Sequence, residues 1–187
     1  MRDIIRLGLI LLLITAVAAA VLAWTNDVTM EPIADQVLQA NITARQSVLS
    51  DASEFEEMST DTFAGYANVL EVYKGLKDGQ VVGYTIKTNP SGYAGPIEVM
   101  IGISVDGVIQ GVSVGNHSET PGLGAKASDD QFKNQYNDKK AEGQIDVIKA
   151  GTPKDNEIIS ISGATITSRA VTAGVNAAIQ LYNEALK

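Results

Sequence analysis

The sequence predicts an α+β protein: a single N-terminal transmembrane helix, then one mixed α+β domain with antiparallel hairpins and a C-terminal helix. Three observations carry this expectation. Residues 7–24 form a run of about 18 residues without a charge, close to the roughly 20 that a helix needs to cross the hydrocarbon core. Further on, Val- and Ile-rich runs meet at Asp78-Gly79 and at Asp106-Gly107, pairs that favour tight hairpin turns. Near the end, Val171, Val175, Ala178, Ile179, Tyr182 and Leu186 recur at the three-and-four spacing of one helical face.

Taken in order, Arg2 and Arg6 precede the apolar run, while Asn26, Asp27, Glu31 and Asp35 follow it. The positive-inside bias then places residues 1–6 in the cytoplasm, 7–25 in the membrane and 26–187 outside, at the cell (inner) membrane. Trp24 falls where an interfacial aromatic sits. A cleaved signal peptide shares this layout, with small-residue patterns at Ala16, Ala18 and Ala20, but the apolar run exceeds the roughly 7–15 residues of a signal core. Both readings export the domain. Residues 30–50 space Ile33, Val37, Leu38, Ile42 and Val48 as a helix leading away from the membrane. One hairpin is expected from 69–73 and 81–87, and a second from 97–105 and 108–114. Residues 115–124 are rich in loop formers, a helix is expected from Ser128 onward, and residues 138–157 read as turns around a short strand at 145–148. The closing helix, 168–186, packs on the sheet. With no internal repeat or low-complexity tract, one domain follows the anchor.

Composition removes several function classes. A net charge of −8 is the opposite of the footprint that neutralises phosphate backbones, so nucleic acid is not an expected partner. The absence of cysteine excludes thiolate-held iron–sulfur clusters, c-type haem attachment and disulfides. His117 is the single histidine, which excludes a multi-histidine zinc or copper site; a carboxylate-rich magnesium or calcium site stays open on composition, but no metal is expected at the site. Redox chemistry, if present, resides in an organic cofactor.

Two segments carry candidate chemistry. Ser162-Gly163-Ala164-Thr165-Ile166-Thr167-Ser168 ends a β-prone run and enters a helix, a junction that offers backbone N–H groups and a positive dipole end to a phosphate. Small residues at Gly163 and Ala164 permit close approach, and the hydroxyls of Ser162, Thr165, Thr167 and Ser168 add donors. The alternative on spacing alone is an ordinary helix N-cap. In the second segment, His117, Glu119, Thr120, Pro121, Gly122, Leu123 and Gly124, the glycines let amides approach a planar ring, Leu123 offers an apolar surface, and Glu119 and Thr120 can bond a polar edge. On residues alone, a Pro-Gly turn closing a hairpin-to-helix connection is the favoured explanation of this segment. The carboxylates within 51–57 and at Asp129-Asp130 accompany no partner chemistry and read as surface.

Together these segments resemble two motifs of one family. Ser162-Gly163-Ala164-Thr165 followed by Thr167 is similar to the flavinylation motif of the FMN-binding domain found in the G subunit of the Rnf electron-transport complex, a relative of the C subunit of the sodium-translocating NADH:quinone oxidoreductase. His117 to Gly124 resembles that family's His-x-Glu-Thr-Pro-Gly-Leu-Gly loop, and Gly92-Tyr93-Ala94-Gly95-Pro96 is similar to a third segment. The resemblance implies FMN joined covalently to Thr165 through a phosphoester, placed there by a separate flavin transferase. It implies Ser162, Gly163, Ala164 and Thr167 around the attachment, and His117, Glu119, Thr120, Gly122, Leu123, Gly124 and Tyr93 near the flavin. Lys126 is expected to pair with the phosphate or with a reduced, anionic flavin, and His117 to position the loop. No residue is expected to be catalytic in the sense of a nucleophile that turns over. The implied function is that of an electron carrier in a membrane complex that couples ferredoxin/NAD electron transfer to ion movement, with other membrane subunits as partners. The related C subunit would share these motifs and differ in partners. An anchored, non-redox phosphate-binding module is the alternative from another class.

Overall fold

A computed structural model describes residues 1–187. Its first element, α1 (Arg2–Val48), is one helix of 47 residues, so the helix expected to lead away from the apolar run over residues 30–50 is present, continuous with that run and ending at Val48. No glycine lies between Gly8 and Gly65, and the polar residues after Trp24 are no stop signal. Pro32 lies inside the helix. The chain divides into two compact units, Met1–Ile42 and Thr43–Lys187. The first is helical from Arg2 onward, and α1 is long and apolar enough to cross a membrane, with a mean hydropathy of 2.6 over its most apolar stretch.

The second unit is built on a five-stranded antiparallel sheet in the order β1-β2-β3-β4-β5. Its strands are β1 (Glu54–Glu57), β2 (Val69–Lys77), β3 (Gln80–Thr88), β4 (Val99–Ser104) and β5 (Ile109–Val114). Both expected hairpins are present. In the first, Asp78 and Gly79 have φ of 52° and 77°, the paired positive values of a turn that matches strand twist. The strands of this hairpin run longer than expected, whereas Ile97 and Val105 lie outside β4. β1 was not foreseen: its carboxylates do face solvent, but the backbone pairs with β2 at the sheet edge, Glu54 opposite Leu76.

One face of the sheet presents Val72, Ile86, Val99, Ile101, Ile103 and Val112 to the core. Against them lies the amphipathic helix α3 (Thr165–Leu181), through Val171, Val175, Ala178 and Ile179. Each Val or Ile side chain so taken from water contributes about 1.5–3 kcal/mol. The opposite face is shaped by absence of side chains. Gly75 pairs with Gly83 and Gly102 with Gly111, clearing a channel across four strands. Val48 and Leu49, at the end of α1, are buried in it. A Cβ on Gly83 would lie 2.9 Å from Leu49 Cδ1, and one on Gly111 2.9 Å from Val48 Cα. Beside this channel the Arg45 guanidinium stacks 3.6 Å from the Tyr73 ring centroid and meets Glu71 Oε2 at 2.6 Å. Lys87 continues the chain of charges, 3.7 Å from Glu71 and 3.3 Å from Glu98.

The helix expected from Ser128 is the main local correction. Only α2 (Asp130–Lys133) forms, between 3₁₀ turns at Gly124–Ser128 and Asn134–Tyr136. Asn134, Asn137 and Asp138, whose φ is 63°, favour turns over helix continuation. The turns still bury Phe132 and Tyr136, whose rings meet edge to face at 5.8 Å. The expected short strand, β6 (Asp146–Ile148), pairs in parallel with β7 (Glu157–Ile159). α3 starts at Thr165 rather than Ser168, which places the hydroxyl-rich motif in its first turn, and the chain closes with a π turn, Tyr182–Leu186.

Candidate functional site

The site lies where the chain leaves β7 and enters α3. Gly163, with φ of 77°, turns the backbone through a conformation that disfavours side chains. The turn is closed locally: Ala164 N–H donates to Ile161 O at 3.0 Å, and Ser168 Oγ accepts from Ile161 N–H at 2.9 Å while donating to Ala164 O at 3.0 Å. Ala164 precedes the helix without a side-chain cap, so the first-turn N–H groups of α3 keep their affinity for an anion. The hydroxyls of this motif then sort by accessibility. Ser168 is buried and committed to the turn, and Thr167, 1% exposed, donates to Glu119 Oε2 at 2.5 Å. Thr165 is half-buried and its hydroxyl has no partner in the protein.

Thr165 opens into a cavity of about 470 Å³, within the roughly 300–1,000 Å³ of small-molecule sites. The walls bring together Tyr93 from the β3–β4 connection, Glu119, Thr120, Leu123 and Gly124 from the loop after β5, and Gly163, Ala164, Thr165 and Thr167 from the α3 junction. Ile166, missed by the sequence reading, completes the lining and is 57% exposed. An apolar residue in a first helical turn carries no signal that separates a pocket wall from core.

Glu119 holds these three segments together. Its Oε1 accepts from the backbone N–H of Tyr93 at 2.8 Å and of Ala94 at 2.9 Å, while Oε2 takes the Thr167 proton. Room for the carboxylate comes from two glycines: a Cβ on Gly92 would stand 2.5 Å from Oε1, and one on Gly124 would overlap Oε2. Burial alone would raise the Glu119 pKa; the Thr167 hydroxyl, the two N–H groups and nearby His117 outweigh it and hold the carboxyl below its ordinary range. Glu119 is thus ionised and buried, with both oxygens engaged by the protein. His117 lies behind the loop, its Nδ1 3.3 Å from the Glu119 N–H and its Nε2 3.2 Å from Ser128 Oγ, which ties the ring to both sides of the loop. Gly122, with φ of 76°, makes the turn that follows Pro121. Lys126 and Ser162 face an adjoining cavity of about 520 Å³ that also meets Phe132, Gln135 and Ile161.

The residues fit a flavin mononucleotide: an uncapped helix start and a free hydroxyl for the phosphate end, and a cavity with Tyr93, Leu123 and Ile166 as apolar walls for a ring. Comparison with known proteins agrees. A family model described as FMN-binding domain matches residues 92–180, and another, described as RnfG N-terminal region, matches residues 1–48. The G subunit of the Na(+)-translocating ferredoxin:NAD(+) oxidoreductase complex of Acetobacterium woodii is 47% identical, over 100% of this chain and 95% of its own length. The chain belongs to the RnfG family. A second member, the G subunit of the proton-translocating ferredoxin:NAD(+) oxidoreductase complex of Clostridium ljungdahlii, is 31% identical over 88% of this chain and 83% of that one. Beyond the RnfG family, the crystal structure of the C subunit of the Na(+)-translocating NADH-quinone reductase from Parabacteroides distasonis superposes with a TM-score of 0.54. It is 28% identical and the match spans 63% of this chain and 62% of that one. The fold and the family expected from the two motifs are therefore those of the protein.

Proposed function

We propose that this chain is the electron carrier of an ion-translocating ferredoxin:NAD oxidoreductase complex, with FMN held covalently on Thr165 through a phosphoester made by a flavin transferase. Bound there, the flavin supplies reversible electron transfer, and the protein supplies attachment, ring environment and docking surface. One observation carries the attachment: within residues 162–168, Thr165 is the hydroxyl that both lines the cavity and is left without a protein partner. The first-turn N–H groups of α3 face phosphate charge there, and Gly163 leaves the approach clear. Glu119 keeps the walls at their spacing, both of its oxygens already accepting from the protein. Arg2 and Arg6 before the apolar run, and Asp27, Glu31 and Asp35 after it, support a single membrane pass with the domain on the extracytoplasmic side.

The test is intact mass of the chain co-expressed with a flavin transferase. Wild type is expected to exceed its sequence mass by FMN less one water, Thr165→Ser to do the same, and Thr165→Val to show the sequence mass alone. A colourless wild type under these conditions would sink the covalent reading and bring forward a module that binds phosphate ligands without redox chemistry.

A further inference from the structure

The cavity that Thr165 opens into has one charged residue in its walls, and it is an acid. Its lining includes Glu119 but no lysine, arginine or histidine. The Glu119 carboxylate is ionised, and through its Oε2 it meets Thr167, two residues from Thr165. A phosphodiester on Thr165 brings a second negative charge to this site, in a chain whose net charge is already −8. Like charges in a half-enclosed cavity repel unless a cation stands beside them. The first-turn N–H groups of α3 answer only part of this, being equivalent to about half an elementary charge. The helix itself carries one cation. Arg169 is the only charged residue in Thr165–Leu181; it is exposed and makes no ion pair or hydrogen bond through its side chain. It stands four residues after Thr165 and three after Ile166, both of which line the cavity. At about 100° per residue, Arg169 lies about 40° around α3 from Thr165 and about 60° from Ile166, between them and one turn on. Neighbours at these spacings have Cβ atoms about 5–6 Å apart. The surface that a helical residue covers lies over the turn before its own Cα, which for Arg169 is the turn carrying Thr165. Lys126, also exposed and without an ion pair, lines the adjoining cavity instead.

We propose that Arg169 is the positioning residue for the phosphate end of the flavin: its guanidinium pairs with the phosphodiester on Thr165 and separates that charge from the Glu119 carboxylate. This rests on the attachment reading and deepens it by naming the cation. A planar guanidinium grips two phosphate oxygens at once, where an ammonium is a point charge. The chain has four arginines: Arg2 and Arg6 precede the apolar run, Arg45 is buried, and Arg169 is the exposed one in the second unit. An arginine-selective dicarbonyl, read by peptide mass mapping, therefore reports Arg169 by itself, with Arg2 and Arg6 as internal references. In the full chain in detergent, Arg169 is expected to react at least about tenfold more slowly with FMN attached than in Thr165→Val, while Arg2 and Arg6 react alike in both. Because the ring alone could shield the side chain, the phosphorus NMR resonance of the phosphodiester is the second readout. It is expected to move in Arg169→Gln, to move less in Arg169→Lys and to stay in place in Lys126→Gln. Equal reactivity of Arg169 in the two chains overturns the proposal, as does a resonance unmoved in Arg169→Gln or moved only in Lys126→Gln. If Arg169→Gln takes up no FMN, the dicarbonyl comparison decides, since it needs no change at Arg169. Intact mass keeps the two readings apart: a wild type without the adduct is a failure of the attachment itself, whereas an adduct beside a freely reactive Arg169 is a failure of this proposal alone.

Discussion

Replacing Glu119 tests whether the cavity is held together by one buried carboxylate. Glu119→Ala removes three hydrogen bonds to a group 5% exposed and leaves the Thr167 hydroxyl and two N–H groups facing a void. At about 1 kcal/mol for each bond, and more for bonds to a charged group, the loss is at least about 3 kcal/mol. For a domain of this size that is roughly 10 °C in melting temperature. Glu119→Gln keeps an acceptor for the two N–H groups and loses the charge and the short Thr167 bond, so a loss of about 1–2 kcal/mol is expected. Calorimetry of the full chain without flavin, in detergent, measures both free of ligand linkage. The pH dependence adds a sign. A carboxyl whose folded pKa is depressed stabilises the protein above its unfolded value, near 4.5, and loses that contribution as pH falls through the lower folded value. The gap between wild type and Glu119→Gln should therefore be full at pH 7 and shrink below about pH 4.5. A Glu119→Ala chain that melts within about 1 °C of wild type, or a gap independent of pH, would refute the clamp.

Three other perturbations probe the frame around the site. Gly102→Ala puts a methyl into the Val48 carbonyl, where backbone cannot move aside, so the denaturation midpoint should fall by the equivalent of at least about 3 kcal/mol; Gly79→Ala, in open space but at φ of 77°, should cost only about 1 kcal/mol. Arg45→Ala leaves Glu71 without its closest cation and Tyr73 without its stacked partner; a loss of about 2–4 kcal/mol is expected by urea unfolding, with Arg45→Lys recovering only part. Tyr136→Phe deletes a buried hydroxyl that meets Thr172 Oγ1 at 2.7 Å and should cost about 1 kcal/mol at neutral pH. Burial raises the Tyr136 phenol well above its ordinary 10.0, a shift the Thr172 bond only partly offsets, so wild-type stability should decline above pH 10 and that decline should be smaller in Tyr136→Phe.

What the sequence disclosed follows the range of the interactions involved. Asp78-Gly79 was readable because a tight turn is decided by its own two residues, and the α3 face because its period lies within one element. The helix expected from Ser128 failed for an equally local reason, since Asn134 and Asp138 compete for the backbone. The glycine channel was not readable: each of Gly75, Gly83, Gly102 and Gly111 looks like a weak point in a strand until register sets them in two opposed pairs under Val48 and Leu49. The pocket motif was recognised as a pattern, and its internal division of labour was not. Glu119 offered itself as a contact to the ring edge, whereas Thr167, its partner 48 residues on, absorbs one of its oxygens. That pairing separates Thr165 from Thr167, two hydroxyls the sequence places two residues apart.

The glycine channel also decides where this protein can be cut. Removing the apolar run to obtain a water-soluble domain invites a start just after α1, near Asp51. Such a fragment would lack Arg45, Val48 and Leu49, and so would expose the bare backbone of Gly75, Gly83, Gly102 and Gly111 and leave Glu71 without its nearest counter-charge. The boundary of the autonomous folding unit therefore lies inside the last turns of the helix, near Thr43, and a preparation begun later would be an aggregating sheet whatever the integrity of its flavin motif.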